Sequence, residues 1–166
     1  MAVRPILLYP EPVLKRPCKP VNSIDGEIRR IARDLADTLD RSPGVALAAP
    51  QIGVPLRMIL VDAAKNPKAI GSKNGRILMI NPVCFVRSGE RIVREGCLSV
   101  PEYTGRVLRA EKVRIDGIGP DGMRVSVSAE GFEALAFQHE IDHLDGILFL
   151  DRIASLSTDL FRRKRG

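Results

Sequence analysis

The sequence predicts an α+β fold, a single domain of short, mostly antiparallel strands around a central histidine-bearing helix, with an N-terminal helix and a short C-terminal helix. Three observations carry this. Ile28, Ile31, Leu35 and Leu39 recur at helical spacing while Arg29, Arg30, Arg33, Asp34 and Asp37 lie mostly off that stripe, which places a helix at about 25–40. A long stretch of strand-like runs punctuated by glycines follows. A second helix, about 131–144, then stops at Asp145-Gly146, a common helix ending.

The elements follow in order. Residues 1–22 contain Pro5, Pro10, Pro12, Pro17 and Pro20 and are expected to run extended and irregular over the surface. After the first helix, residues 44–53 form an apolar stretch between glycines. Strands are expected at 57–61, 76–80, 84–86, 90–93, 107–109, 112–115 and 123–127, with Gly75, Gly89, Gly105, Gly117 and Gly122 as turn markers. A short amphipathic helix at about 151–162 closes the chain. No internal repeat or low-complexity linker divides it, so residues 1–166 read as one domain.

Composition excludes several classes. The chain has 166 residues, 45% hydrophobic and 28% charged, as in a globular protein with a real core. No apolar run reaches the ~20 residues that span a bilayer, so no membrane role is expected. The first residues lack the apolar core and cleavage site of a secretory signal. A cytoplasmic location is expected, and a processed organelle form fits as well. Cys18, Cys84 and Cys97 are odd in number and widely spaced, which argues against a disulfide framework and leaves a thiol for metal binding. The net charge is +6, and part of it sits in Arg162-Arg163-Lys164-Arg165. Two readings of that tail stay open: a contact with RNA or the ribosome, and a solvated end.

The chemistry centres on His139-Glu140-Ile141-Asp142-His143, which contains both histidines of the chain. On a helix, positions i and i+4 share a face, so two imidazoles can grip one metal ion. The intervening glutamate can then work on a metal-bound water. A catalytic metal usually has three protein ligands, so the third decides the class. The extended protease pattern HExxHxxGxxH fails because Phe149 stands at its last position. No glutamate follows Glu140, which also weakens the class that takes a downstream glutamate. The strong remaining candidate is Cys97, in Glu95-Gly96-Cys97-Leu98-Ser99-Val100-Pro101, where glycine and proline suggest a rigid loop. Cys18 and Cys84 read instead as small buried hydrophobes. Glu95 reads as a structural anchor for the cysteine loop, with an arginine as partner.

Three segments together resemble the peptide deformylase family: Gly44-Val45-Ala46-Leu47-Ala48-Ala49-Pro50-Gln51, Glu95-Gly96-Cys97-Leu98-Ser99, and Gln138-His139-Glu140-Ile141-Asp142-His143. Their order and spacing match, and the resemblance covers essentially the whole chain. It implies a metal site of Cys97, His139 and His143, with Glu140 as general acid/base. It implies that Gln51 and the backbone N–H of Leu98 hydrogen-bond the substrate carbonyl. It also implies removal of the N-formyl group from formylmethionyl nascent chains by a divalent ion, Fe2+ in cells, with Zn2+, Ni2+ or Co2+ as substitutes. A monomer is the expected state, with the basic tail as a candidate ribosome contact.

The reaction suits these residues. A metal lowers the pKa of bound water and polarises the formyl oxygen. Glu140 can take the water's proton and deliver it to the leaving amine. Leu135 and Ala136 precede His139 on the same helix face and, with Val45 and Ala46, can wall a pocket for the methionine side chain. For Leu135 and Ala136, a plain core role is the competing reading. The sequence departs from the family at Ala46, where the family usually has glycine. A left-handed backbone there would cost alanine roughly 1 kcal/mol, whereas an extended one would tolerate it. Two other classes compete: an HExxH hydrolase of other amides, and a metal-stabilised ribosome-binding protein without catalysis.

Overall fold

The computed structural model describes residues 2–164. Its helix α1 spans Gly26–Asp40, and Asp25 caps it by accepting a 3.0 Å hydrogen bond from the Ile28 N–H. An antiparallel five-stranded sheet has the order β1-β2-β3-β6-β7, with β1 at Ala46–Ala48, β2 at Met58–Val61, β3 at Ile77–Ser88, β6 at Lys112–Ile118 and β7 at Arg124–Glu130. A second antiparallel sheet, β4-β5-β8, joins β4 at Arg91–Cys97, β5 at Val100–Arg109 and β8 at Leu160–Arg162. Helix α2 spans Gly131–Leu144. The α+β fold with mostly antiparallel strands is the one the sequence predicts.

Strand alternation explains the layering. Leu47, Met58, Leu60 and Ile80 pack with Ile28, Ile31, Leu35 and Leu39 of α1. Their neighbours Ala46, Ala48, Ile59, Val61 and Met79 face the other way and pack with Ala134, Ala136, Phe137, Ile141 and Leu144 of α2. The sheet therefore lies between the two helices, and α2 is the helix at the centre. The outer side of α2 meets the β4–β5 hairpin, where a third cluster joins Cys97, Val100 and Val107 to Leu148 and Phe149.

Several expected boundaries shift for identifiable reasons. The runs at 76–80 and 84–86 are one strand, β3, interrupted by an irregularity between Ile80 and Val83. Asn81 there has φ +50°, and its side-chain amide pairs with both backbone groups of Val21 at 2.8 Å. Asn-Pro reads as a break in sequence, yet the side chain replaces the missing ladder bonds. Gly105 and Gly117 lie inside β5 and β6 rather than in turns, which is why the expected strands at 107–109 and 112–115 are longer than their apolar runs.

The C-terminal helix is present but broken. Single turns α3 (Phe149–Arg152) and α4 (Leu156–Asp159) are separated by an extended Ile153, and Leu160–Arg162 pairs with β5 as β8. Phe161 then stacks under Arg94 and Arg106, a contact that one continuous helix would lose. Arg165 of the basic tail lies outside the described residues. Residues 2–22 are irregular as expected, apart from a 3₁₀ turn at Pro12–Lys15 and a bridge between Lys19 and Leu56.

Candidate active site

Two loops and α2 converge. β1 leads into a 3₁₀ turn, Ala49–Ile52, which carries Gln51. The β4–β5 hairpin carries Cys97 just before a two-residue turn, Leu98-Ser99, since Cys97 pairs with Val100. The register breaks between Gly96 and Cys97, and Pro101, which has no N–H to give, sits on the irregular side. The N-terminal segment ties both loops down: the Leu7 N–H donates to Gln51 O at 2.8 Å and the Tyr9 N–H to Ser99 O at 2.9 Å.

The metal-type ligand atoms of Cys97, His139 and His143 lie within 4.8 Å of one another, and all three residues are buried. Cys97 Sγ is 3.4 Å from His143 Nε2. Gln51 Oε1 accepts from the Ala48 N–H at 2.9 Å, which turns its NH2 group toward Ser99 Oγ at 3.1 Å and Cys97 Sγ at 3.7 Å.

A buried ion network holds the site from behind. His139 donates Nδ1–H to Glu95 at 2.6 Å, leaving Nε2 for a metal. Arg109 grips Glu95 with two bonds of 2.6 and 2.9 Å and donates to Asp142 at 2.7 Å. Arg152 also clamps Asp142, at 2.5 and 2.7 Å. Glu95 is thus the anchor of the cysteine loop, with Arg109 as its arginine. Arg109, Asp142, Arg152 and Ser99 are the members that sequence reasoning missed. Asp142 looks like a spacer within the pentapeptide, and no local signal pairs it with Arg109, which is distant in sequence.

The electrostatics follow from this geometry. Burial opposes ionisation of the Cys97 thiol, but the charges of His143 and His139 and a hydrogen bond from His139 outweigh it and hold the thiol well below its ordinary range. The thiolate is the form that binds metal. Burial alone would raise Glu95, but hydrogen bonds and charge from His139 and Arg109 bring it down to about 2. Burial pushes the Glu140 carboxyl up to about 7 against the opposing pull of His139 and His143. Glu140 Oε2 and His143 Nδ1 are buried polar atoms without a hydrogen-bond partner among the described residues. A thiolate, two imidazoles and an oriented Nδ1–H make a donor set that fits a divalent transition metal.

A cleft of about 390 Å³ opens onto this cluster. Gln51, Cys97, Leu98, His139 and Glu140 line it, and so do Val45, Ala46, Leu135 and Ala136. Every site residue singled out in the sequence borders the cleft except His143, which lies directly behind Cys97. Ala136 is both cleft wall and core, whereas Leu135 is a half-buried wall residue. Phe132, Pro43, Pro101, Arg94 and Arg163 are further wall residues that were not foreseen. Ala46 lies in β1, and Asn81 is the one non-glycine residue with positive φ among the described residues, so the strained alternative for Ala46 does not apply.

Fold and site together define a candidate metal centre built on an HExxH helix. Comparison with known proteins narrows the class. The Polypeptide deformylase family model matches residues 3–159. A peptide deformylase of Rhizobium meliloti is 41% identical over 99% of this chain and 92% of its own length. One from Halothermothrix orenii is 42% identical over 96% of this chain and 99% of its own. The crystal structure of a peptide deformylase from Legionella pneumophila superposes with a TM-score of 0.85 at 39% identity, covering 93% of this chain and 88% of that one. The chain belongs to the polypeptide deformylase family. Its relatives are enzymes, and membership supports removal of the N-formyl group from nascent peptides. No helix among the described residues is long and apolar enough to cross a membrane.

Proposed function

We propose that residues 1–166 form one deformylase domain that hydrolyses the N-formyl group of N-terminal formylmethionine on newly made polypeptides and releases formate. The observation that carries this reading is the donor cluster of Cys97, His139 and His143 beside a buried Glu140, with Cys97, His139 and Glu140 lining one cleft. A divalent ion held by those three residues would supply an activated water and polarise the formyl oxygen. Fe2+ is proposed for the cell, with Zn2+, Ni2+ or Co2+ able to substitute.

The remaining work falls to the chain's own side chains. Glu140 accepts the proton of the attacking water and returns it to the leaving amine, and a carboxyl near neutral pKa is suited to both transfers. The Gln51 NH2 group, aimed by the Ala48 N–H bond, and the Leu98 N–H donate to the carbonyl oxygen as charge builds on it. Val45, Ala46, Leu135 and Ala136 shape the methionine pocket. Glu95 keeps the His139 ring in one orientation.

The test is formate release from formyl-Met-Ala-Ser, with acetylated and unblocked peptides as controls, on protein purified anaerobically with iron. Glu140→Ala should lower kcat at least about 100-fold while metal content is unchanged. Activity retained in that variant refutes the role of Glu140, and equal cleavage of the acetylated peptide refutes the substrate. We further propose a cytoplasmic monomer whose basic tail touches the ribosome. A chain ending before Arg162 should then bind ribosomes more weakly.

A further inference from the structure

The cleft's charged walls are unevenly exposed. Glu95, His139 and Glu140 are buried, and Glu95 is neutralised by Arg109 and His139. Among the described residues, the exposed charged ones on the walls are two arginines, Arg94 and Arg163. Arg94 lies on β4, and its position is fixed twice. Its Nε donates to Thr104 Oγ1 at 2.9 Å, and its guanidinium carbon sits 4.2 Å from the centre of the Phe161 ring. Arg163 is delivered by β8: Tyr103 pairs with Arg162, and the Arg163 N–H donates to Glu102 O at 2.8 Å. Its guanidinium rests against Gly96, one residue before Cys97, where an added Cβ would stand 2.1 Å from Nη2. Gly96 therefore provides the seat for this cation.

We propose that Arg94 and Arg163 form a cationic clamp that selects formylated peptides with an acidic side chain at the second or third residue. This rests on the deformylase reading of the cleft. A peptide whose formyl end reaches Cys97 and whose methionine lies against Leu135 leads its next residues out past Gly96, between these guanidiniums. Each carboxylate–arginine contact at such an exposed rim is modest, and two acting on one side chain give a preference of about fivefold to tenfold. Phe161 and Thr104 hold Arg94 in place before binding, which reduces the ordering cost.

The experiment measures kcat/KM for formyl-Met-Ala-Ser analogues carrying Glu, Gln or Lys at the second or third residue, at low ionic strength. The unaltered protein should prefer Glu to Lys about tenfold at one of these positions, and about 0.5 M salt should shrink the preference. The double variant Arg94→Gln/Arg163→Gln should bring the ratio close to one. Arg29→Gln/Arg30→Gln removes the same charge from exposed positions of α1 and should leave the ratio in place. Equal rates for Glu and Lys peptides in the unaltered protein overturn the clamp while leaving the deformylase reading intact. So does a preference that survives the Arg94/Arg163 change or is lost in the α1 control. Absence of formate release from every peptide overturns both readings.

Discussion

Arg109 is the side chain whose loss should cost most. It is 5% exposed, and three of its hydrogen bonds go to two buried carboxylates, Glu95 and Asp142. In Arg109→Met, Glu95 keeps His139 alone, and Asp142 keeps Arg152, whose side chain is 41% exposed. Removing one partner of a buried ion pair costs roughly 3–5 kcal/mol. At about 2–4 °C per kcal/mol for a chain of this size, Tm should fall by roughly 6–20 °C at pH 7. The metal should also bind about 10–100-fold more weakly, because the orienting bond to His139 loses its support. The pH dependence has a definite sign. Glu95 lies at about 2 in the folded chain against an ordinary 4.5, so its stabilisation is present above pH 4.5 and is lost as pH falls toward 2. Without Arg109 the folded pKa rises toward 4.5, so the stabilisation available to lose is smaller and its loss is complete at a higher pH. Thermal melts by circular dichroism, urea titrations between pH 7 and pH 3, and metal titrations read these effects. The double variant Glu95→Gln/Arg109→Met should lose less than the sum of the single variants, since no charge is then stranded beside His139. A Tm drop under about 3 °C, or strict additivity, would refute the reasoning.

Ala46→Gly should change kcat/KM on formyl-Met-Ala-Ser by less than about tenfold, because Ala46 sits in an extended strand that tolerates its Cβ. A gain of orders of magnitude would show that the methyl group blocks the entry. Leu135→Trp should weaken the preference for methionine over smaller first residues, as measured by competition between formylated peptides; an unchanged preference removes Leu135 from the pocket. Gly146→Ala should cost about 2 kcal/mol or more in urea unfolding. Gly146 has φ +73°, and a Cβ would come within 2.8 Å of the Lys15 backbone. A loss under 0.5 kcal/mol would mean that the segment at Lys15 yields readily.

The two long helices and the run of strands between them were readable because each depends on local pattern. The α1 stripe of Ile28, Ile31, Leu35 and Leu39 all faces the sheet. The C-terminal helix was legible only in part: the apolar spacing of Leu156, Leu160 and Phe161 suits a helix, yet the open edge of β5 captures Leu160–Arg162 as a strand. Strand lengths in the β4–β5 hairpin were hidden by Gly96, Pro101 and Gly105, which look like loop residues and instead accommodate neighbouring side chains or the register break. That Cys97, His139, His143 and Glu140 come together could be anticipated because their residue types are chemically distinctive, whereas Gln51 stood out only through its place in the family-like segment. The charges behind them could not be anticipated, because arginine and aspartate are common on surfaces and only the fold brings Arg109, Asp142 and Arg152 together.

The pentapeptide shows how tightly a helix constrains its motif. Successive residues turn about 100°, so five consecutive side chains sample every direction around α2. His139 and His143 return to one face and meet Cys97. Glu140 turns toward the cleft, and Ile141 turns away into the core beneath the sheet. Asp142 takes the one direction left, toward β5 and α3, and there it accepts from both Arg109 and Arg152. The two positions that HExxH leaves unspecified are therefore both committed here, one to packing and one to charge. Asp142 is joined through Arg109 to Glu95, and through Glu95 to His139, so the motif's fourth residue helps aim its first histidine. Asp142→Asn should consequently weaken metal binding without removing any ligand, whereas Ile141→Val should reduce stability by about 1 kcal/mol and leave metal affinity unchanged.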